Sequence, residues 1–81
     1  MGAKVTIYVT NYCPFCRQAE RLLKQKGVSF DAIDVTDDSD MREALIQKSG
    51  GRTTVPQIFA GERCIGGYDD LVKLYQSGGR L

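Results

Sequence analysis

Two cysteines, Cys13 and Cys16, stand where a β-branched segment gives way to an amphipathic one. Proline follows the first cysteine, and it suits the first position of a helix because its missing N–H group needs no partner there. If the helix begins at Pro14, both sulfur atoms lie within one turn and can close and reopen a small disulfide. The free N–H groups and the dipole at a helix start favour a thiolate at Cys13. The spacing predicts a strand–helix unit with a redox-capable dithiol at its junction.

The composition narrows the classes of protein that fit. The chain has 81 residues, three cysteines, no histidine and a formal net charge of +1. This length predicts one domain over residues 1–81, and three cysteines favour a reducing, cytoplasmic setting over a disulfide framework. The absence of histidine excludes Ser–His–Asp and Cys–His nucleophiles and Cys2His2 zinc sites. The charge gives no case for nucleic acid or a membrane surface, and no apolar run approaches the roughly 20 residues of a membrane span.

Apolar periodicity and turn residues predict seven elements in the order β-α-β-α-β-β-α. A helix between the first two strands implies a parallel pair with a right-handed crossover, whereas Gly61 predicts an antiparallel hairpin with a type II′ turn. We therefore expect an α/β fold, a four-stranded mixed sheet with helices on both faces. The predicted strands are 3–10, 28–35, 55–59 and 62–65; the predicted helices run from the Cys13 N-cap to about Lys26, from the caps at 36–40 to Lys48, and from Asp69 or Asp70 to about Ser77.

The same periodicity predicts which side chains are packed. One face of the first strand and one stripe of the first helix are apolar, and the second strand offers further apolar positions. The predicted packed residues are Val5, Ile7 and Val9; Cys16, Ala19, Leu22 and Leu23; Phe30, Ala32 and Ile33; and Met41, Ala44 and Leu45.

Three separated motifs resemble those of the glutaredoxins, in the thioredoxin-like superfamily. They are Cys13-Pro14-Phe15-Cys16, Thr54-Val55-Pro56 and Gly66-Gly67-Tyr68-Asp69-Asp70. The resemblance covers nearly the whole chain, and the segment 52–59 is similar to that of small bacterial dithiol glutaredoxins. It implies a thioredoxin-like fold and a glutathione-dependent thiol–disulfide oxidoreductase that reduces protein disulfides and protein–glutathione mixed disulfides. Glutathione would be the reductant, and no metal is expected.

The cysteines take different roles under this resemblance. Cys13 is the expected nucleophile and Cys16 the resolving thiol. Because a glutathione mixed disulfide at Cys13 is itself an intermediate in glutaredoxins, Cys16 is expected to be needed for dithiol reduction of proteins and dispensable for deglutathionylation. Cys64, on the fourth predicted strand, is expected to be a packing residue; if exposed, it could be glutathionylated or form dimers.

The other two motifs are expected to hold glutathione. The resemblance implies a cis proline at Pro56, with the backbone of Val55 pairing to the tripeptide as a strand does. The N–H groups at the start of the last helix would take the γ-glutamyl carboxylate, and Asp69 would pair with the ammonium group. The full expected binding set is Cys13, Phe15, Arg42, Thr54, Val55, Pro56, Gly67, Tyr68, Asp69 and Asp70.

One position departs from the family pattern. Many glutaredoxins place a lysine three residues before the first cysteine to bind the glycyl carboxylate of glutathione, and this chain has Thr10 there. Arg42 matches another family anchor if the Gly50-Gly51 pair contains a one-residue insertion, and Arg52 is the second candidate. Either arginine could equally be a solvated surface residue.

Three other interpretations compete with this one. Thioredoxins carry Trp before the first cysteine and Gly-Pro between the pair, whereas here Tyr12 precedes Cys13 and Pro-Phe intervenes. Some glutaredoxins hold an iron–sulfur cluster between two subunits, but that branch mostly has Gly or Ser where this chain has Pro14. A non-catalytic module could use the edge near Pro56 only to bind peptides. The expected partners are glutathione and disulfide-bonded or glutathionylated proteins, with ribonucleotide reductase among the candidates, for a monomer that binds neither nucleic acid nor membrane.

Overall fold

A computed structural model describes residues 4–79 and residue 81. Its four strands form one sheet in the order β2-β1-β3-β4, in which β1 pairs parallel with β2 and antiparallel with β3, and β3 pairs antiparallel with β4. The predicted order of elements and the mixed sheet are confirmed. The elements are β1 Val5–Val9, α1 Pro14–Gln25, β2 Phe30–Asp34, α2 Ser39–Lys48, β3 Gln57–Ala60, β4 Arg63–Gly66 and α3 Tyr68–Gln76.

The central strand β1 separates two apolar cores because successive side chains on a strand point to opposite faces. One face packs against α1 and α3, and the other packs against α2. The expectation of helices on both faces is therefore confirmed. The first core contains Val5, Ile7, Val9, Cys16, Ala19, Leu23, Ile58 and Leu71, and the second contains Tyr8, Val35, Leu45 and Phe59.

Strand β2 differs from its prediction. Ala32, expected to be packed, is exposed, and Ile33 is 37% exposed. The reason is that β2 is an edge strand, so it has one strand neighbour and less cover than β1. Burial resumes at Val35, which is fully buried against α2. Ala3, predicted as the first residue of β1, lies outside the described residues.

The start of β3 and the N-cap of α3 differ from their predicted positions for local reasons. Strand β3 begins at Gln57 instead of residue 55, because Pro56 has no N–H group to donate to a ladder and its bond to Val55 is cis. The last helix is capped by Gly67, and Asp70 lies inside the helix with its carboxylate accepting the Gly67 N–H at 3.0 Å. The prediction that Asp69 or Asp70 is the N-cap was wrong, because the cap lies one residue before the tyrosine that opens the helix.

The connections agree with the turn signals. Gly61 has φ of +63°, while Glu62 has a negative φ, which is the pattern of the predicted type II′ hairpin. Helix α1 begins at Pro14 with Cys13 as its N-cap, as expected. Across residues 4–79 and 81, each helix falls short of the length and apolar character required to cross a bilayer.

Candidate active site

Cys13 lies at the carboxyl end of the central strand, at the N-cap of α1. Its Sγ atom accepts the backbone N–H of Cys16 at 3.2 Å. The thiol also lies 3.7 Å from the carbonyl oxygen of Val55, to which it can donate. These two contacts place the sulfur between the start of α1 and the segment before β3. Cys13 is half-buried, and a small reactant can reach it.

Cys16 has a different environment one helical turn away. It is 1% exposed and belongs to the first core. Burial raises the pKa of the Cys16 thiol to about 12, and the hydrogen bond with Cys13 adds to the shift. Cys16 therefore stays protonated at neutral pH. The two sulfur atoms are both free thiols in this structure, and they differ in access.

The segment before β3 faces the dithiol. The peptide bond between Val55 and Pro56 is cis, as the resemblance implied. The amide of Gln57 holds this segment in place, because its Nε2 donates to the carbonyl oxygens of Arg52 at 3.1 Å and Thr54 at 3.0 Å. Gln57 is only 2% exposed. Gln57 was not predicted as a site residue from the sequence, although a polar side chain in an otherwise apolar strand marks this position.

A cavity of about 200 Å³ opens beside the dithiol and is bounded by all three motifs. Cys13 is not among its lining residues, but the Cys13 sulfur contacts the carbonyl oxygen of Val55, which is. The rings of Phe15 and Tyr68 stand 6.2 Å apart and form one aromatic wall. The structure thus brings together most of the residues predicted to bind glutathione. The lining residues are Phe15, Arg52, Thr54, Val55, Pro56, Gly67, Tyr68, Asp69 and Asp70.

The two candidate arginines occupy different places. Arg42, on the first turn of α2, does not line the cavity; its Nη1 donates to the hydroxyl of Tyr12 at 3.2 Å, next to Cys13 in the chain. Arg52 lines the cavity, and its Nη1 lies 3.2 Å from Oδ2 of Asp70. Thr10, at the position of the family lysine, is 4% exposed and its hydroxyl has no partner. Because threonine carries no charge, a positive side chain for the cavity has to come from another element.

Cys64 lies away from this cavity. It is half-buried on β4, opposite Phe59 of β3, and packs against the second core. Among residues 4–79 and 81, no three or more His, Cys, Asp or Glu side chains come together in a way that could hold a metal ion.

The sheet order, the cis proline and the dithiol at the start of α1 define a thioredoxin-like protein, and solved glutaredoxins share this fold. A buckwheat glutaredoxin–glutathione complex is similar with a TM-score of 0.84 at 29% identity, over 94% of this chain and 71% of that chain. A glutaredoxin from Brucella melitensis is similar with a TM-score of 0.82 at 40% identity, over 95% of this chain and 83% of that chain.

The sequence comparisons agree with the fold. The family model for glutaredoxin matches residues 5–65. Glutaredoxin 3 of Escherichia coli strain K12 is 48% identical over 77 residues, which are 95% of this chain and 92% of the relative. The chain belongs to the glutaredoxin family, whose members are thiol oxidoreductases.

Proposed function

We propose that this protein is a glutathione-dependent thiol–disulfide oxidoreductase, with Cys13 as its nucleophile. The observation that carries the proposal is the position of the half-buried Cys13 sulfur. It lies at a helix start and contacts Val55, which lines the cavity together with the other two motifs. A disulfide whose one half is glutathione could then be held with its sulfur beside Cys13. The complex of glutathione with the buckwheat glutaredoxin supports this choice of ligand.

The first exchange needs only the Cys13 thiolate. It attacks the glutathione sulfur of a mixed disulfide, the old S–S bond breaks, and the substrate leaves as a thiolate that takes a proton from water. Cys13 is now joined to glutathione. A second glutathione thiolate attacks the glutathione sulfur of this intermediate, which releases glutathione disulfide and restores the Cys13 thiolate. In the net reaction the mixed disulfide and one free glutathione become the substrate thiol and glutathione disulfide, because the other half of that disulfide comes from the substrate.

Cys16 acts when the substrate is a protein disulfide. Attack by Cys13 joins it to one substrate sulfur and frees the other as a thiol. Cys16, once deprotonated, attacks the Cys13 sulfur, which releases the second substrate thiol and leaves a Cys13–Cys16 disulfide for two glutathione molecules to reduce. Burial suits Cys16 to this later role, because its raised pKa keeps it protonated and unreactive while Cys13 is free.

Glutathione is proposed to lie across the cavity. The backbone of Val55 pairs with its cysteinyl residue, and Thr54 and Pro56 shape that wall. The N–H groups of Tyr68 and Asp69, in the first turn of α3, take the γ-glutamyl carboxylate, since N–H groups there have no partner within the helix. The exposed Asp69 carboxylate pairs with the ammonium group.

The other end of glutathione needs a cation. Arg42 is proposed to bind the glycyl carboxylate, because its guanidinium donates to the hydroxyl of Tyr12, the residue that precedes Cys13. A hydroxyl on Nη1 leaves the Nε and Nη2 donors of the same side chain available to a carboxylate. Arg52 is already engaged with Asp70.

The test replaces each thiol of the dithiol by serine and measures turnover of a small glutathione mixed disulfide with glutathione as reductant. Cys16→Ser should retain activity, because only the first sulfur exchanges with this substrate, and Cys13→Ser should have none. A parallel assay with thioredoxin reductase as the electron source should show little reduction of the dithiol. Loss of activity in Cys16→Ser, or its survival in Cys13→Ser, would contradict the assignment.

The natural substrates are proposed to be disulfide-bonded or glutathionylated proteins, ribonucleotide reductase among them, and the protein is proposed to act as a monomer without a metal. Two exposed rings support a protein substrate, since Tyr12 is 61% and Phe15 is 55% exposed on either side of Cys13. Mixed disulfides trapped on the Cys16→Ser variant would identify these substrates.

A further inference from the structure

Arg52 joins two walls of the cavity that are distant in sequence. Its Nη1 lies 3.2 Å from Oδ2 of Asp70, and the two side chains are 45% and 37% exposed. The same oxygen accepts the N–H of Gly67, the N-cap of α3, at 3.0 Å. One carboxylate oxygen therefore connects the start of α3 with the segment that leads to the cis proline.

The backbone of Arg52 is itself held on two sides. Its N–H donates to the hydroxyl oxygen of Ser49 at 3.0 Å, and that hydroxyl lies 3.3 Å from the Arg52 carbonyl oxygen. The buried amide of Gln57 donates to the same carbonyl oxygen at 3.1 Å. Because these contacts fix the backbone of Arg52, its guanidinium holds the Asp70 carboxylate in one position.

We propose that Arg52 is a positioning residue that sets the separation of the two backbone segments holding glutathione, Val55 on one wall and Tyr68–Asp69 on the other. This inference rests on the proposed function. Both segments contact the same ligand, so any freedom between them must be lost on binding and weakens affinity. The ion pair of Arg52 is with Asp70, at the start of α3, so Arg52 acts on binding of the γ-glutamyl end and leaves the exchange step unchanged.

The same contacts give Asp70 a new role. Its charge is offset by Arg52 and its Oδ2 is occupied by the Gly67 N–H, so Asp70 is part of the positioning device. Asp69, which is exposed at the second position of α3, is left as the carboxylate that meets the ligand ammonium. The expectation that Asp70 binds glutathione directly is replaced by this indirect role.

The experiment measures single-turnover release of a fluorescent thiol from two mixed disulfides, one with glutathione and one with cysteinylglycine, which lacks the γ-glutamyl group. Enzyme is in excess, and the half-saturating enzyme concentration and the limiting rate are read separately. Arg52→Gln should raise the half-saturating concentration for the glutathione substrate about fivefold, as expected of an exposed ion pair. The limiting rate and both constants for cysteinylglycine should not change.

Matched variants test the pair. Arg52→Lys should retain most of the affinity for the glutathione substrate. Asp70→Asn keeps an acceptor for the Gly67 N–H and should behave as Arg52→Gln does. The double variant should bind no worse than the weaker single variant, because the two residues act through one contact. Arg21→Gln, at an exposed position on α1 outside the cavity, is the control and should match the wild type.

The outcomes separate the two proposals. If the wild type shows no preference for the glutathione substrate, both the proposed glutathione site and the proposed role of Arg52 are contradicted. If the wild type has that preference and Arg52→Gln retains it in full, the inference alone is overturned. Equal weakening with both substrates, or a fall in the limiting rate, also overturns it, because either would indicate general damage to the site.

Discussion

Cys13 and Cys16 differ in the two properties that decide how a thiol reacts, its access and the environment of its charge. Cys13 is half-buried at an N-cap, whereas Cys16 is 1% exposed and lies against the strand side chains of the first core. Burial raises the pKa of Cys16, so the neutral thiol is favoured there. The roles proposed for the two sulfurs rest on these different surroundings, although the two cysteines are only three residues apart.

The contact between Tyr12 and Arg42 leads to a prediction about glutathione binding. Arg42→Ala should raise the Michaelis constant for glutathione about fivefold and leave the maximal rate largely intact, because it removes a charge that binds one end of the ligand. Tyr12→Phe should raise the constant by less, since it removes only the hydroxyl that orients the guanidinium. Steady-state kinetics with varied glutathione would measure both, and an unchanged constant in Arg42→Ala would remove Arg42 from the site.

Some features of the site could be predicted from the sequence because a short segment determines them. The dithiol at a helix start and the motif around Pro56 required no knowledge of distant contacts. The pairs Arg52–Asp70 and Arg42–Tyr12 were missed, because each joins side chains from separate elements across a distance that spacing in the chain does not encode. The sequence had offered Arg42 as a match to a family anchor and Arg52 as the second candidate, and in the structure the two arginines have different partners.

The start of α3 is the element on which the cavity depends most. Its first turn supplies the N–H groups at one wall, and the approach to it passes through Gly66, which has φ of +121°. A Cβ atom on Gly66 would overlap with Oδ2 of Asp70. The element therefore requires glycine here for two reasons, the backbone conformation and the space taken by the capping carboxylate.

Gly66→Ala should consequently lower the free energy of unfolding by more than backbone strain alone does. The control is Gly51→Ala, since Gly51 has a similar φ of +111° but nothing within 4 Å of its Cβ position. We expect the control to lose about 1 kcal/mol and Gly66→Ala to lose about 3 kcal/mol, measured by urea unfolding. Adding Asp70→Ala should recover part of the difference. Equal losses in the two glycine variants would contradict a clash with Asp70.

The elements were predictable because periodicity and turn residues act locally. The order of strands and helices, the N-cap at Cys13 and the hairpin at Gly61 all follow from short windows of sequence. Exposure of Ala32 did not, because an edge strand has the same local pattern as an inner one and only the sheet order reveals its neighbours. The cap of α3 was misplaced because aspartate is common both at the cap and in the first turn.

At the scale of the whole molecule, burial of Cys16 links stability to pH. The thiol has an ordinary pKa of 9.0, and the fold raises it to about 12. Between these values the unfolded chain loses the proton and the native protein keeps it, so stability falls as pH rises through this window, by up to about 1.4 kcal/mol per pH unit. Below pH 9.0 this contribution does not change with pH.

The measurement compares the free energy of unfolding of the wild type and Cys16→Ser from about pH 8 to about pH 11, under reducing conditions. This range begins below the ordinary pKa of the thiol and ends below its raised pKa. The wild type should fall more steeply above the lower pKa, because serine does not titrate there. Tyr75, whose pKa burial raises, and Lys4, whose pKa the hydrogen bond with Asp31 raises, titrate in both proteins and cancel. Parallel curves for the two proteins would show that Cys16 ionises as freely in the native state as in the unfolded chain.

The elements, the dithiol at a helix start and the family could be predicted from the amino-acid order, because they depend on short segments and on motifs of fixed spacing. The side chains that meet across the cavity became known only from the three-dimensional structure. Arg52 with Asp70, Gln57 with the carbonyl oxygens before Pro56, and Arg42 with Tyr12 are contacts between residues 3 to 30 positions apart. Such contacts arise when packing on the two faces of β1 places the elements, and a linear pattern carries no record of that placement.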